Sequence, residues 1–86
     1  MDGDIRITLR SLLVAFFRDI GYFEELIENM DLFSDLGLDS MNFLSLVVCV
    51  EETFGITVPD EKLEYEYFNN VDHICTVIEE VLLNQE

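Results

Sequence analysis

Asp35-Leu36-Gly37-Leu38-Asp39-Ser40-Met41-Asn42-Phe43-Leu44-Ser45-Leu46-Val47-Val48-Cys49-Val50-Glu51-Glu52-Thr53-Phe54-Gly55 is the stretch that decides how this chain folds. Asp39-Ser40 offers side-chain oxygens to the unpaired N–H groups of a helix's first turn, and Gly37 lets the chain bend just before it. The spacing predicts a helix from Ser40 to Gly55. Phe43, Leu46, Val47, Val50 and Phe54 fall on one face as its core side, and Asn42, Ser45, Cys49 and Glu52 form a polar strip. Met41, Leu44 and Val48 belong to neither group; they make a second apolar stripe beginning beside Ser40.

Outward from this helix the same periodicity recurs. Upstream, Ile5, Leu9, Leu12, Leu13, Phe16, Phe17 and Ile20 follow a 3.6-residue period and predict a first helix over residues 5–20, with Gly21 as its left-handed stop. Between Gly21 and Asp39 apolar residues continue without a period. This segment reads as a long structured loop, with one helical turn near Glu24–Glu28. Downstream, Ile56-Thr57-Val58-Pro59 is an extended connector because the residue before proline avoids helical geometry. Asp60 is expected to cap a short helix over Glu61–Tyr67. Asn70 is expected to cap a final helix presenting Ile74, Val77, Ile78, Val81 and Leu82. The fold class expected is all-α: a small four-helix bundle of three main helices and one short one, with a long loop between the first and second helices, in a single domain over residues 1–86.

The chain has 86 residues, half of them apolar, and 19 acids against four Lys and Arg, for a formal charge of −15. A body this size holds one modest core, burying roughly 60% of its unfolded surface. Its charge repels nucleic acid and anionic membranes and favours partners with basic patches. Lys62 is the only Lys or Arg after Arg18. Cys49 and Cys75 are too few for a disulfide framework and read as free thiols in a reducing cytoplasm. No apolar run approaches the ~18 residues of a membrane span. His73 and Cys75, two apart on a helix, point to different faces and make no metal pair. Asp31, Asp35 and Asp39 lack the two-residue steps of a calcium loop, and no nucleophile elbow or phosphate-cradling loop occurs. No catalytic constellation is present, and the chain is not expected to be an enzyme.

Asp35-Leu36-Gly37-Leu38-Asp39-Ser40-Met41 opening a helix resembles the attachment motif of acyl and peptidyl carrier proteins. The likeness extends through Glu51-Glu52-Thr53-Phe54-Gly55-Ile56 and Val58-Pro59-Asp60 to the final helix, over roughly residues 5–83. It implies that Ser40 bears 4′-phosphopantetheine, placed on its hydroxyl by a separate transferase using coenzyme A and Mg²⁺, and that the arm's thiol carries an acyl or aminoacyl group as a thioester. Ser40 is then a modified residue, with its alternative role that of an ordinary helix cap. By the same resemblance Asp39 presents the site to the transferase and its metal, and Gly37 lets the loop come close without a side chain in the way. Met41, Leu44 and Val48, with Glu51 and Glu52, match positions that dock partner enzymes; burial under the long loop is the alternative for the three apolar residues. The remaining acids Glu24, Glu25, Glu28, Glu79 and Glu80 read as solvated faces.

Asn42 and Ser45 stand where fatty-acid-synthesis carriers have acids, and Phe33 and Phe68 are spaced from Ser40 and Pro59 as in stand-alone peptidyl and aminoacyl carriers, including D-alanyl-type carriers. The resemblance therefore implies specialised polyketide, nonribosomal peptide or aminoacyl-transfer metabolism. Its partners would be a phosphopantetheinyl transferase, an adenylating ligase or acyltransferase that loads cargo, and a downstream synthase or transferase, all meeting a cytoplasmic monomer. The alternative from composition alone is an acidic helical adaptor that binds a basic protein and carries no prosthetic group.

Overall fold

The computed structural model of the chain describes residues 2–17 and 27–84. Among them are four α-helices and no strand: α1 (Asp2–Phe16), α2 (Ser40–Phe54), the single turn α3 (Tyr65–Phe68) and α4 (Val71–Asn84). A 3₁₀ turn, Asp60–Lys62, precedes α3. Ile20, Gly21, Glu24 and Glu25, and so the first helix's stop and most of the turn expected near Glu24–Glu28, lie outside the described residues.

Each long helix buries the stripe that its sequence marks. Leu9, Leu13 and Phe17 from the first segment, Phe43, Leu46, Val47 and Val50 from α2, and Val71, Ile74, Cys75, Val77 and Ile78 from α4 converge on one core. Ile5, Leu12, Phe16, Phe54, Val81 and Leu82 flank it, half-buried. Burial of these side chains, at about 1.5–3 kcal/mol for each large one fully removed from water, is what holds short helices that would be marginal alone. α1 packs against α4 and α2, and α3 packs against α4.

The crossover is more ordered than its aperiodic sequence suggests. Ile27, Leu32, Leu36 and Leu38 are buried in the same core. Arg6 on α1 bonds both Glu28 and Asp72, the latter at 2.6 Å, and Arg10 reaches Glu28 at 3.4 Å. The Asp72 contact raises the Arg6 pKa further. Glu28 is thus not a free solvated acid but the end of a clamp that joins α1, the crossover and α4. Glu80 likewise pairs with Lys62 at 3.1 Å.

The expected short helix is two pieces. Asp60–Lys62 form a 3₁₀ turn, Leu63 and Glu64 leave helical geometry, and α3 begins at Tyr65. Asp60 does not cap it; Pro59, which has no side chain to donate or accept, occupies the preceding position. Glu64 is strongly extended (φ −136°, ψ 156°), which resets the chain so that Phe68 can turn fully into the core. The Asn70 cap is present: its Oδ1 accepts the His73 N–H at 2.8 Å. His73 is exposed and Cys75 buried, and desolvation pushes the Cys75 thiol pKa up. Both cysteines are free thiols, Cys49 half-buried.

Candidate functional site

The site begins one turn upstream of α2, in a device the aperiodic segment conceals. Asp31 Oδ1 accepts the N–H groups of Phe33 and Ser34, each at 2.9 Å, while Asp35 Oδ2 accepts the Asp31 N–H at 2.8 Å. These bonds wind residues 32–36 into one tight turn. Hydrogen bonding to backbone N–H, led by that of Ser34, holds the Asp31 carboxyl below its usual range. The turn is anchored to the body by Leu32, whose N–H donates to the Asn69 carbonyl at 2.7 Å and whose carbonyl accepts from Leu38 at 3.0 Å.

Gly37 ends the turn at φ +71°. A Cβ built there meets nothing within 4 Å, so within the chain the glycine is required by its left-handed backbone, in keeping with the bend expected there. Asp39 follows in extended geometry (φ −108°, ψ −179°) and its Oδ1 accepts the Asn42 N–H at 2.9 Å. Asp39, and not Ser40, is therefore the cap of α2. Ser40 is the first helical residue, and among the described residues no hydrogen bond engages its exposed hydroxyl.

That placement suits an esterified hydroxyl. Asn42 and Phe43 donate their N–H groups to Asp39, but those of Ser40 and Met41 find no acceptor among the described residues. No acidic residue lies in the first turn of α2. Two free N–H groups at the positive end of a 15-residue helix favour an anion bonded to Ser40 Oγ.

Beside Ser40, Met41 is 81% exposed, Leu44 59% and Val48 50%, so the loop does not cover this stripe. Asn42 and Ser45 are also exposed, and Ser45 Oγ donates back to the Met41 carbonyl at 3.4 Å. Glu51 and Glu52 diverge. Glu52 is exposed, whereas Glu51 is half-buried and its Oε2 accepts the Val58 N–H at 2.8 Å. The Glu51 carbonyl also accepts from Ile56 at 3.0 Å and from Gly55, which sits at φ +64°. This left-handed stop closes the helix and launches the connector. Glu51 is thus tied to the chain's own backbone and presents less of itself than the sequence led one to expect.

On the opposite side of Ser40, Phe43 joins an aromatic cluster. Its ring meets those of Phe33, Tyr65 and Phe68 at centroid distances of 5.8, 5.9 and 5.5 Å, and Phe33 and Tyr65 lie 4.4 Å apart. Phe33 and Phe68, singled out by their spacing, are thereby brought together beneath the first turn of α2. Tyr65 is a residue that the sequence pattern does not single out; its one signal there is an aromatic set between Glu64 and Glu66.

Residues 11–78 match the family described as the phosphopantetheine attachment site. The chain belongs to this family. An acyl carrier protein of Zymomonas mobilis subsp. mobilis (strain ATCC 31821 / ZM4 / CP4) is 39% identical to it over 41 residues, 48% of this chain and 53% of that protein. The chain spans about half the length of this curated relative. Its place in the family gives it covalent phosphopantetheine as its cofactor, and the relative it resembles is named a carrier and not an enzyme. That group supplies a thiol at the end of a long arm. Among the described residues no helix is long and apolar enough to cross a membrane, and no group of three or more His, Cys, Asp or Glu could hold a metal ion.

Proposed function

We propose that this chain carries an acyl or aminoacyl group as a thioester on a phosphopantetheine arm attached to Ser40, and delivers it to partner enzymes in the cytoplasm. The observation that carries this reading is the state of Ser40: an exposed, unengaged hydroxyl at the first position of α2, beside free N–H groups, inside the span that matches the family. Asp39 holds the backbone of that turn with one carboxylate oxygen, and its second is free to face the transferase and its Mg²⁺. Gly37 sets the direction of approach through its positive φ.

Partner recognition falls to Met41, Leu44 and Val48, with Glu52 and, more weakly, Glu51 at the far end. Exposed apolar side chains grouped on a small body mark a contact surface, and Met41 adapts to differently shaped partners. The remaining acids act at a distance, speeding encounters with basic enzymes. The neutral Asn42 and Ser45, with the spacing of Phe33 and Phe68, support a carrier of the stand-alone peptidyl or aminoacyl kind, loaded by an adenylating ligase or acyltransferase and unloaded by a synthase or transferase of specialised metabolism.

The test is an intact mass after incubation of the apo protein with coenzyme A, Mg²⁺ and a broad-specificity phosphopantetheinyl transferase. One phosphopantetheine increment is expected on the wild type and none on Ser40→Ala. No increment on the wild type, or an unchanged one on the variant, would leave the acidic-adaptor reading in its place.

A further inference from the structure

Asn69 and Asn70 join α3 to α4 and are turned to different tasks. Asn70 caps α4: its Oδ1 accepts the His73 N–H at 2.8 Å and its carbonyl accepts that of Ile74 at 3.1 Å. Asn69 reaches the crossover instead. Its backbone carbonyl accepts the Leu32 N–H at 2.7 Å, and its side chain hydrogen bonds the Asp31 carboxylate. Asp31 and Leu32, neighbours in sequence, are thus gripped by one residue in two ways.

The partners decide how the Asn69 amide lies. A carboxylate accepts and cannot donate, so Nδ2 is the atom turned toward Asp31. Oδ1 is left for His73 Nδ1, 2.6 Å away, and that nitrogen carries the proton because an amide oxygen cannot donate. A single planar group therefore donates to the crossover and accepts from α4. Asn69 is half-buried and His73 exposed, so the grip lies at the surface and can be altered without opening the core.

Both bonds to the crossover lead toward Ser40. Asp31 winds the turn over residues 32–36 through the N–H groups of Phe33 and Ser34. Leu32 passes the hold onward, since its carbonyl accepts the Leu38 N–H at 3.0 Å and Leu38 directly precedes the cap Asp39. Buried Leu32, Leu36 and Leu38 already keep the crossover on the body. Burial is non-directional, however, whereas a hydrogen bond weakens steeply as its angle departs from linear. The leucines hold the crossover down, and Asn69 sets its heading.

We propose that Asn69 is a positioning residue for the modification of Ser40: by gripping Asp31 and Leu32 together, it fixes the direction in which the crossover delivers Leu38, Asp39 and Ser40 to the transferase. His73 supports it by fixing the orientation of the amide. This inference rests on Ser40 being the attachment residue. A chain without the grip spends part of its time with Ser40 wrongly presented. A transferase that takes only the competent form then shows a KM raised by the inverse of the competent fraction, with kcat unchanged.

The test follows the mass increment over a range of carrier concentrations, with coenzyme A, Mg²⁺ and a broad-specificity phosphopantetheinyl transferase. Asn69→Asp sets two carboxylates against each other and should raise KM about tenfold, the worth of one charge-assisted hydrogen bond, at unchanged kcat. Asn69→Ala should raise it less, and His73→Ala least. Combining Asp31→Asn with Asn69→Asp reverses donor and acceptor while leaving an oxygen at position 69 for His73, and should recover most of the loss. Hydrogen exchange of the apo proteins gives a readout that needs no transferase: the Leu32 and Leu38 amides should exchange faster in Asn69→Ala, while amides within α2 keep their protection. A wild type that is modified while Asn69→Ala and Asn69→Asp keep its KM overturns this inference and leaves Ser40 as the attachment residue. So does a defect that follows the melting temperature and leaves the Leu32 and Leu38 amides as protected as in the wild type. Absence of the increment on the wild type overturns both.

Discussion

Helix α2 carries two apolar stripes of similar composition with opposite fates. Phe43, Leu46, Val47 and Val50 are 0–7% exposed, while Met41, Leu44 and Val48 are 50–81% exposed, although both sets lie within three turns of one helix. Hydrophobicity does not separate them. What separates them is what α1, α4 and the crossover leave uncovered: Leu36 and Leu38 turn into the core ahead of Ser40 and draw the loop past the helix end instead of over the second stripe. A small domain with half of its residues apolar has more such side chains than its core can take. Here three of the surplus side chains are grouped on one helix beside one serine, while Ile7, Tyr65 and Leu83 are exposed singly elsewhere.

The sharpest way to break this contrast is to truncate one leucine on each side. Leu46 is fully buried, and Leu46→Ala should cost about 2–5 kcal/mol through lost burial and the cavity left behind, a large part of the stability of a fold this small. Leu44→Asp should leave the cooperative thermal transition nearly where it was, within about 0.5 kcal/mol, yet impair loading and unloading by partner enzymes. Paired melting curves check both. A Leu44→Asp protein that unfolds as readily as Leu46→Ala would show the second stripe to be core.

A smaller effect distinguishes the two jobs assigned to Asp39. Asp39→Ala removes the acceptor for the Asn42 N–H and should cost about 1 kcal/mol, the usual worth of a helix cap. Asp39→Asn keeps a capping oxygen and should melt close to wild type. If the free carboxylate oxygen serves the transferase and its metal, the asparagine variant should nonetheless be modified more slowly, read as the rate of the mass increment. Equal rates in wild type and Asp39→Asn would reduce Asp39 to a cap.

Most of the fold around Ser40 was legible because the signals are local. Gly37, Asp39 and Gly55 bracket α2, and the period within it separates the buried stripe from the other one; Asn70 and the α4 pattern read equally directly. Two features were not legible, for different reasons. The turn over residues 32–36 is bracketed by Asp31 and Gly37, a cap and a left-handed stop, but a single turn is too short to show a period. The Glu28 clamp was hidden by distance: Arg6 and Arg10, four apart on α1, plainly share a face, yet their partner is 22 residues from Arg6 in a segment without a repeat. In the site, the sequence order of Asp39 and Ser40 suggested two capping oxygens, and only backbone geometry assigns the cap to Asp39 and releases Ser40. Glu51 shows the converse, a residue assigned outward by resemblance and drawn inward by the Val58 N–H.

The weakest lever on the contrast is the acid limb of stability, through the turn that delivers the chain to Ser40. Asp31 has its pKa lowered in the folded protein because its carboxylate accepts backbone N–H bonds, first from Ser34. A carboxyl depressed on folding stabilises the native state above its unfolded pKa, and that contribution is lost as pH falls through the folded value. Stability should therefore decline on acidification below the ordinary aspartate range, partly through Asp31. Asp31→Asn keeps an oxygen that can accept from Phe33 and Ser34 but cannot titrate, so its melting temperature should fall less steeply over the same interval. The measurement is a series of thermal transitions from neutral pH downward for both proteins. Parallel acid limbs would mean that the Asp31 turn adds no proton linkage, and that its hold on the approach to Ser40 rests on the buried Leu32, Leu36 and Leu38 and on the backbone bonds that Leu32 makes with Asn69 and Leu38.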